Sequence, residues 1–303
     1  MADNFKIQKP FLKWVGGKTQ LLDKIKDKFP SEINNYHEIF LGGGSILFAL
    51  LSMQKTHKLV VKGRICAYDI NESLINVYKH VQTNKDELYD LIEAYVEEYD
   101  MIEGNEINRT PKNEQEATTS KESYYYWIRN KYNNIDKNTI ECSALFMFIN
   151  KTCFRGMYRE GPNGYNIPYG NYKNPKIIDK KELDFISELI ADVNFIHCDF
   201  SKGFEHINDN NFVYLDPPYA PENDKSFVGY TKDGFDIKQH ELLFDLTKKI
   251  SEKNMIMMSN ANVKLVRDNL LPDNFKYDVV SCRRAINSKN PSAKTEEVII
   301  TNY

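Results

Sequence analysis

Residues 211–219 read Asn-Phe-Val-Tyr-Leu-Asp-Pro-Pro-Tyr, and the paired prolines constrain the fold more than any other feature of the chain. Phe212, Val213, Tyr214 and Leu215 form a short apolar run of strand-preferring residues. Pro217 and Pro218 have no backbone N–H and cannot continue a ladder, so the strand must stop there. An acid, Asp216, therefore sits at a strand's carboxyl end, the usual ligand edge of an open α/β sheet. Each proline fixes its own φ and restricts the residue before it, which sets the directions of the carbonyls around Asp216 and Pro217. Tyr219 adds a flat aromatic face beside the carboxylate. A carboxylate and a carbonyl as paired acceptors, next to a stacking ring, suit a planar group carrying an NH2, such as the exocyclic amine of a nucleobase. Taken alone, the tetrapeptide also reads as a strand-ending turn with a surface tyrosine, and the rest of the chain has to decide.

Upstream, Tyr36-His37-Glu38-Ile39-Phe40 reads as a strand, and Leu41-Gly42-Gly43-Gly44-Ser45 turns from it into an apolar helix over 46–51. Strand, glycine-rich turn and helix is the nucleotide-binding plan, although the turn is not a full dinucleotide signature. Residues 64–70 read as a second strand carrying Asp69 at its end, placed to accept hydrogen bonds from ribose hydroxyls. Two further strands are expected at 193–197, followed by Asp199-Phe200, and at 255–258. The last two are expected at 277–281 and 297–301, with Arg283, Arg284, Lys289 and Lys294 in the loop between them. Asp199 and Phe200 can hold an adenine, one by hydrogen bond and the other by packing. Residues 219–235 read as a polar loop able to close over a substrate. Near the start, Gly16-Gly17-Lys18-Thr19 looks like the end of a Walker A loop. Leu12 stands where that loop needs a glycine, which argues against a nucleoside triphosphatase. Gly16 and Gly17 still permit close approach of a ligand, with Trp14 and Lys18 available to line its pocket, and an ordinary loop capping a helix is the alternative.

The alternation breaks between about 84 and 190. Residues 85–99 read as a polar amphipathic helix, 101–120 as a mobile surface loop, and 123–132 as a helix whose aromatics are read as core. Residues 150–181 are dense in Gly, Pro, Asn, Tyr and Arg and carry a net charge of +5 in a chain that is −3 overall. That segregation suits phosphate contact. Asn163-Gly164 between tyrosine-bearing stretches signals a hairpin, and a rigid hairpin presenting arginine can read guanine edges. A solvated basic loop is the plainer alternative.

The 303 residues suffice for one large or two modest domains. No apolar run approaches the roughly 20 residues of a membrane span, and residues 1–9 lack a signal-peptide core, so a soluble cytoplasmic protein is expected. The five cysteines are odd in number and scattered, with no clustered histidines, which argues against disulfides or structural zinc.

With these pieces in order, the chain resembles the DNA adenine N6-methyltransferases of the Dam type, including modification enzymes of restriction systems. The resemblance runs nearly the whole length: Phe11-Leu12-Lys13-Trp14-Val15-Gly16-Gly17-Lys18, Phe40-Leu41-Gly42-Gly43-Gly44, Asp69, the inserted segment, Asp199-Phe200, Asp216-Pro217-Pro218-Tyr219 and Thr301-Asn302-Tyr303. It implies an α/β fold of the S-adenosylmethionine-dependent type, a mixed seven-stranded sheet flanked by helices, formed by 1–83 and 187–303. A mainly helical target-recognition insertion with a β-hairpin is implied over 84–186. It implies S-adenosylmethionine as methyl donor, held by Trp14, Lys18, Phe40, Gly42, Gly44, Asp69, Asp199, Phe200 and Asp216, with no metal. Catalysis is implied at Asp216, Pro217, Pro218 and Tyr219 on an adenine flipped from duplex DNA. DNA contacts are implied at Lys13, Arg155, Met157, Arg159, Pro168, Asn171 and Tyr172. Arg155 stands where Dam enzymes usually have Asn, and Asn171 where many have Arg, so the target sequence stays open, GATC included. A cognate restriction endonuclease is a possible partner, and the protein is expected as a monomer or homodimer. The same chemistry serves enzymes acting on cytosine N4, RNA or protein glutamine, and a DNA-binding protein that has lost catalysis is the alternative of another class. The basic hairpin favours duplex DNA, and binding of S-adenosylmethionine separates enzyme from binding module.

Overall fold

The computed structural model describes residues 6–18, 20–221, 234–273, 275–283 and 294–303. The expected closing loop over 219–235 and the basic residues Arg284 and Lys289 fall largely or wholly outside these. The chain divides into two compact units, one from residues 1–8, 18–70 and 192–303, the other from 9–17 and 71–191.

The first unit is built on a seven-stranded sheet. Its strands are β1 (Tyr36–Glu38), β2 (Ile65–Asp69), β3 (Val193–His197), β4 (Phe212–Leu215), β5 (Met255–Ala261), β6 (Lys276–Arg283) and β7 (Lys294–Thr301). Their order is β6-β7-β5-β4-β1-β2-β3. β1 to β5 pair in parallel, whereas β7 is antiparallel to both β5 and β6. β4 lies in the middle, and all four of its residues are buried, as a strand covered on both faces requires. From β1 the chain winds outward to β2 and β3, then returns to β4 and winds the other way to β5. The gap between the carboxyl ends of β1 and β4 is therefore the topological switch point, where such sheets bind ligands. The helix Ser45–Lys55 that follows β1 is buried continuously from Ile46 to Ser52, so the glycine turn leads into the core. Ile237–Ser251 begins with a full capping box between Asp236 and Gln239.

The second unit is mainly helical. Its longer helices are Glu72–Thr83, Lys85–Asp100, Lys121–Asn134, Ile140–Thr152 and Lys180–Leu189. Four of them start at the side chains of Asn71, Ser120, Thr139 and Asp179, each accepting a first-turn N–H. Ile140–Thr152 carries ten buried residues and is the centre of the unit. Tyr124, Tyr125 and Tyr132 are core, and their hydroxyls donate to Glu98, the Ile167 carbonyl and Ser73, whereas Tyr126 and Trp127, also expected in the core, are only half-buried. The helix Glu72–Thr83 and residues 9–17 belong to this unit.

One local expectation needs correction, and another holds with a different corner. Residues 101–120 do not form a structureless surface loop. Asn105 bridges to Ser120, Asn113 caps a helical turn over Glu114–Ala117, and Ala117 is buried. Hydrogen bonds among Asn108, Glu116 and Ser123 add to the few apolar contacts of this stretch, those of Ile102 and Ala117. The hairpin forms over Glu160–Gly161 and Gly164–Tyr165, but Pro162 and Asn163 are its corner residues. Gly164, not Asn163, takes the left-handed conformation (φ +85°), because proline at the first corner excludes the positive φ an Asn-Gly turn would need.

Candidate active site

Within the first unit, Asp216 follows β4 at the switch point. Its carboxylate is 2.6 Å from the Lys18 ammonium, with Lys18 only 5% and Asp216 19% exposed. Burial pushes the Asp216 carboxyl up to about 6, against the pull of Lys18 and with a smaller upward push from Glu297. Pro217 is buried behind it. Tyr219 is held on three sides. Lys18 Nζ is 4.9 Å from the ring centroid, the hydroxyl donates to Glu297 Oε2 at 2.6 Å, and the next backbone N–H, of Ala220, donates to Asn260 Oδ1 at 3.0 Å.

Below the same edge, Glu38 at the end of β1 is buried, and it accepts a hydrogen bond from Tyr36 at 2.7 Å. Burial, helped by the charge of Asp216, raises its carboxyl to about 8, so it is largely protonated at neutral pH. In the turn that follows, Gly42 (φ +51°) and Gly44 (φ +70°) take left-handed conformations. The Gly42 N–H donates to Asp69 Oδ2 at 2.9 Å, which ties the glycine turn to the end of β2. Phe40 and Phe200 stack at 5.8 Å, and the edge of Phe235 closes on Phe40 at 6.1 Å. Asp199 caps the helix Phe200–Glu205 through the Ser201 N–H and also accepts from the Ser201 hydroxyl. A side-chain-free turn, carboxylates at the ends of β2 and β3 and an aromatic wall fit a nucleoside with a charged tail. The donor set therefore suits S-adenosylmethionine.

The remaining expected residues lie in the second unit. Trp14, expected beside Lys18, stacks on Tyr158 at 5.6 Å and packs against Phe146. Lys13 is clamped by Asn150, which accepts from its N–H at 2.9 Å and donates to its carbonyl at 2.7 Å. The Lys13 ammonium donates to the Lys151 carbonyl and sits 3.9 Å over the Tyr172 ring, and burial lowers its pKa. Tyr172 in turn accepts from the Arg155 N–H at 2.8 Å, and Phe154 N–H donates to the Pro168 carbonyl. Lys13, Arg155, Pro168 and Tyr172 thus form one cluster. Arg155 (φ +56°) and Asn171 (φ +50°) are non-glycine residues in left-handed conformations, both exposed. Arg159 leans on the hairpin, its Nε donating to Asn166 Oδ1 at 2.7 Å, and the Met157 carbonyl accepts from Tyr165.

Several neighbours were not anticipated from sequence. Glu38, directly before the glycine turn, offered a local clue. Phe154, an exposed aromatic beside Arg155, offered another. Glu297 and Asn260 offered none, being 78 and 40 residues from the groups they bind.

A sheet with a reversed seventh strand, a glycine-rich first turn and an Asp-Pro-Pro-Tyr edge defines a methyltransferase fold. Residues 14–286 match the family model of the D12 class of N6 adenine-specific DNA methyltransferases, and the chain belongs to that family. It is 34% identical to the type II methyltransferase M.MjaIII of Methanocaldococcus jannaschii, across 97% of this chain and 99% of that protein. It is 33% identical to the type II methyltransferase M1.LlaDCHI of Lactococcus lactis, across 97% and 95%, and 31% identical to the DNA adenine methylase of Haemophilus influenzae, across 96% and 92%. The family implied by the motifs is the family found, and the protein is an adenine-specific DNA methyltransferase. Among the described residues, no helix is long and apolar enough to cross a membrane.

Proposed function

We propose that the protein transfers a methyl group from S-adenosylmethionine to N6 of an adenine flipped out of a short duplex DNA sequence. The observation that carries the reading is the Asp216 carboxylate at the switch point, beside the Pro217 carbonyl and the Tyr219 ring. Adenine N6 is a poor nucleophile because its lone pair is delocalised into the ring. Asp216 and the Pro217 carbonyl accept its two hydrogens and so favour the pyramidal amine that develops as the bond forms. To accept, Asp216 must be ionised and must release Lys18. Pro217 and Pro218 hold the acceptors in place, and Tyr219 stacks on the base once it leaves the duplex. When bound, S-adenosylmethionine would supply the electrophilic methyl group on its sulfonium, which leaves as a neutral thioether, and the proton that N6 sheds would pass to the Asp216 carboxylate and on to solvent. Gly42 and Gly44 would admit it, Asp69 and Asp199 would accept hydrogen bonds from its hydroxyls and amine, and Phe40 and Phe200 would line the place of its adenine. Lys18 completes that set.

In the second unit, we assign Lys13, Arg155, Met157, Arg159, Pro168, Asn171 and Tyr172 to duplex DNA, with the arginines reading base edges or phosphates. Phe154 joins them as an exposed ring able to stack on bases. The names of two relatives support a further reading, that this enzyme protects sites cut by a restriction endonuclease of the same specificity. The reaction belongs in the compartment that holds the genomic DNA.

The test is transfer of labelled methyl from S-adenosylmethionine to plasmid DNA, with N6-methyladenine mapped along the sequence and Asp216→Ala assayed beside it. Methylation at one short motif is expected, falling about 10²–10³-fold in the variant. Cofactor binding with no methylation of DNA would sink the reading.

A further inference from the structure

We infer that Glu297 is a positioning residue for methyl transfer: its carboxylate holds the Tyr219 hydroxyl, so that the ring meets the flipped base in one orientation. The inference rests on the stacking role proposed for Tyr219. Glu297 lies on β7 between two paired strands, opposite Ala261 of β5 and Val280 of β6. Ladders on both sides make its backbone a rigid origin. The bond to the tyrosine is short, as a charge-assisted one should be.

Tyr219 needs such an anchor. It follows two prolines at the end of β4, and its own two side-chain torsions are free to turn. The chain just beyond it is pinned by Asn260, which is wholly buried on β5 and accepts from the Ala220 N–H. With the main chain held at Ala220 and the hydroxyl at Glu297, both torsions are set. Lys18 lies toward one face of the ring.

Stability alone does not account for the pair. A half-buried carboxylate is desolvated at a cost, and an apolar pair of the same shape would be nearly neutral for folding. Orientation is what the acid adds.

Glu297 also faces the catalytic carboxylate electrically. The groups around Asp216 are Lys18, which favours its ionised form, and Glu38, Glu297 and the hydroxyls of Tyr214 and Tyr219. Glu297 raises the Asp216 carboxyl, so removing its charge moves the acid limb of activity to lower pH.

The experiment uses the full chain, its mapped DNA site and saturating S-adenosylmethionine, with Glu297→Gln, Tyr219→Phe, the double variant and Tyr219→Ala. Single-turnover methylation by Glu297→Gln is expected to fall about tenfold with cofactor affinity unchanged. Its acid limb should move to lower pH. The double variant should be no slower than Tyr219→Phe, since without the hydroxyl no bond is left for the second substitution to weaken. With 2-aminopurine in place of the target adenine, Glu297→Gln should raise emission, because a turned ring quenches the stacked base less. A wild-type rate and acid limb in Glu297→Gln, or a double variant slowed by the product of the two single effects, would overturn the assignment. Should Glu297→Gln not fold, Tyr219→Phe carries the test, and a wild-type rate there overturns it. A wild-type rate in Tyr219→Ala would instead sink the stacking role itself, whatever Glu297 does.

Discussion

Replacing Lys18 with methionine should move the acid limb of methylation upward. The side chain keeps most of its length, being one atom shorter, and loses its charge. Lys18 Nζ is 2.6 Å from Asp216 Oδ2, and both groups are largely buried. A cation this close lowers a carboxylate pKa by ~1–3. With Lys18 in place burial still holds Asp216 at about 6. Without the ammonium, the carboxyl should titrate ~2 pH units higher. At pH 6.5 the ionised fraction then falls from roughly three quarters to roughly 3%, a loss of about 25-fold. At pH 9 the two profiles should meet once each is normalised to its own plateau. Because Lys18 is also assigned to the cofactor set, the assay is kcat/KM for the DNA duplex at saturating S-adenosylmethionine, which reports the DNA-free enzyme. An acid limb that stays at the wild-type position, or moves down, would refute the reasoning that Asp216 ionisation limits the reaction and that Lys18 governs it.

His240→Leu should stabilise the protein in acid. His240 is fully buried, neither ring nitrogen has a hydrogen-bond partner among the described residues, and burial against Phe235 and Phe244 lowers its pKa to about 4. The unfolded chain takes up that proton near pH 6.5, so stability is lost as pH falls from about 6.5 towards 4. The variant should therefore gain about 2 kcal/mol at pH 5 relative to its effect at pH 7.5, and an equal gain at both pH values in urea titrations would contradict this. Gly156→Ala should weaken DNA binding while leaving cofactor affinity unchanged. Gly156 has φ +62°, and a Cβ there would lie 2.2 Å from the Lys13 Cβ. Relieving that clash should cost about 1–3 kcal/mol and displace Lys13 from Tyr172; fluorescence anisotropy showing wild-type DNA affinity would count against the DNA role of that cluster.

What could be read along the chain was whatever a few consecutive residues settle by sterics and periodicity. Two prolines end β4 at Asp216 whatever surrounds them, and the glycine turn after β1 allows positive φ on its own account. The strand and helix periods of the first unit are local in the same sense. Where local chemistry offered two outcomes, packing chose. Asn163-Gly164 promised one turn and Pro162 imposed another, while residues 101–120 looked structureless because polar side chains, not an apolar stripe, order them. Beyond that, the tertiary structure decided which distant groups meet. Lys18 reaches Asp216 across 198 positions of chain, and Glu297 and Asn260 reach Tyr219 and Ala220 because the sheet order sets β5 next to β4 and β7 next to β5. The raised carboxyls of Asp216 and Glu38 belong to the same level, since desolvation depends on what the whole fold places around a group and not on its neighbours in sequence.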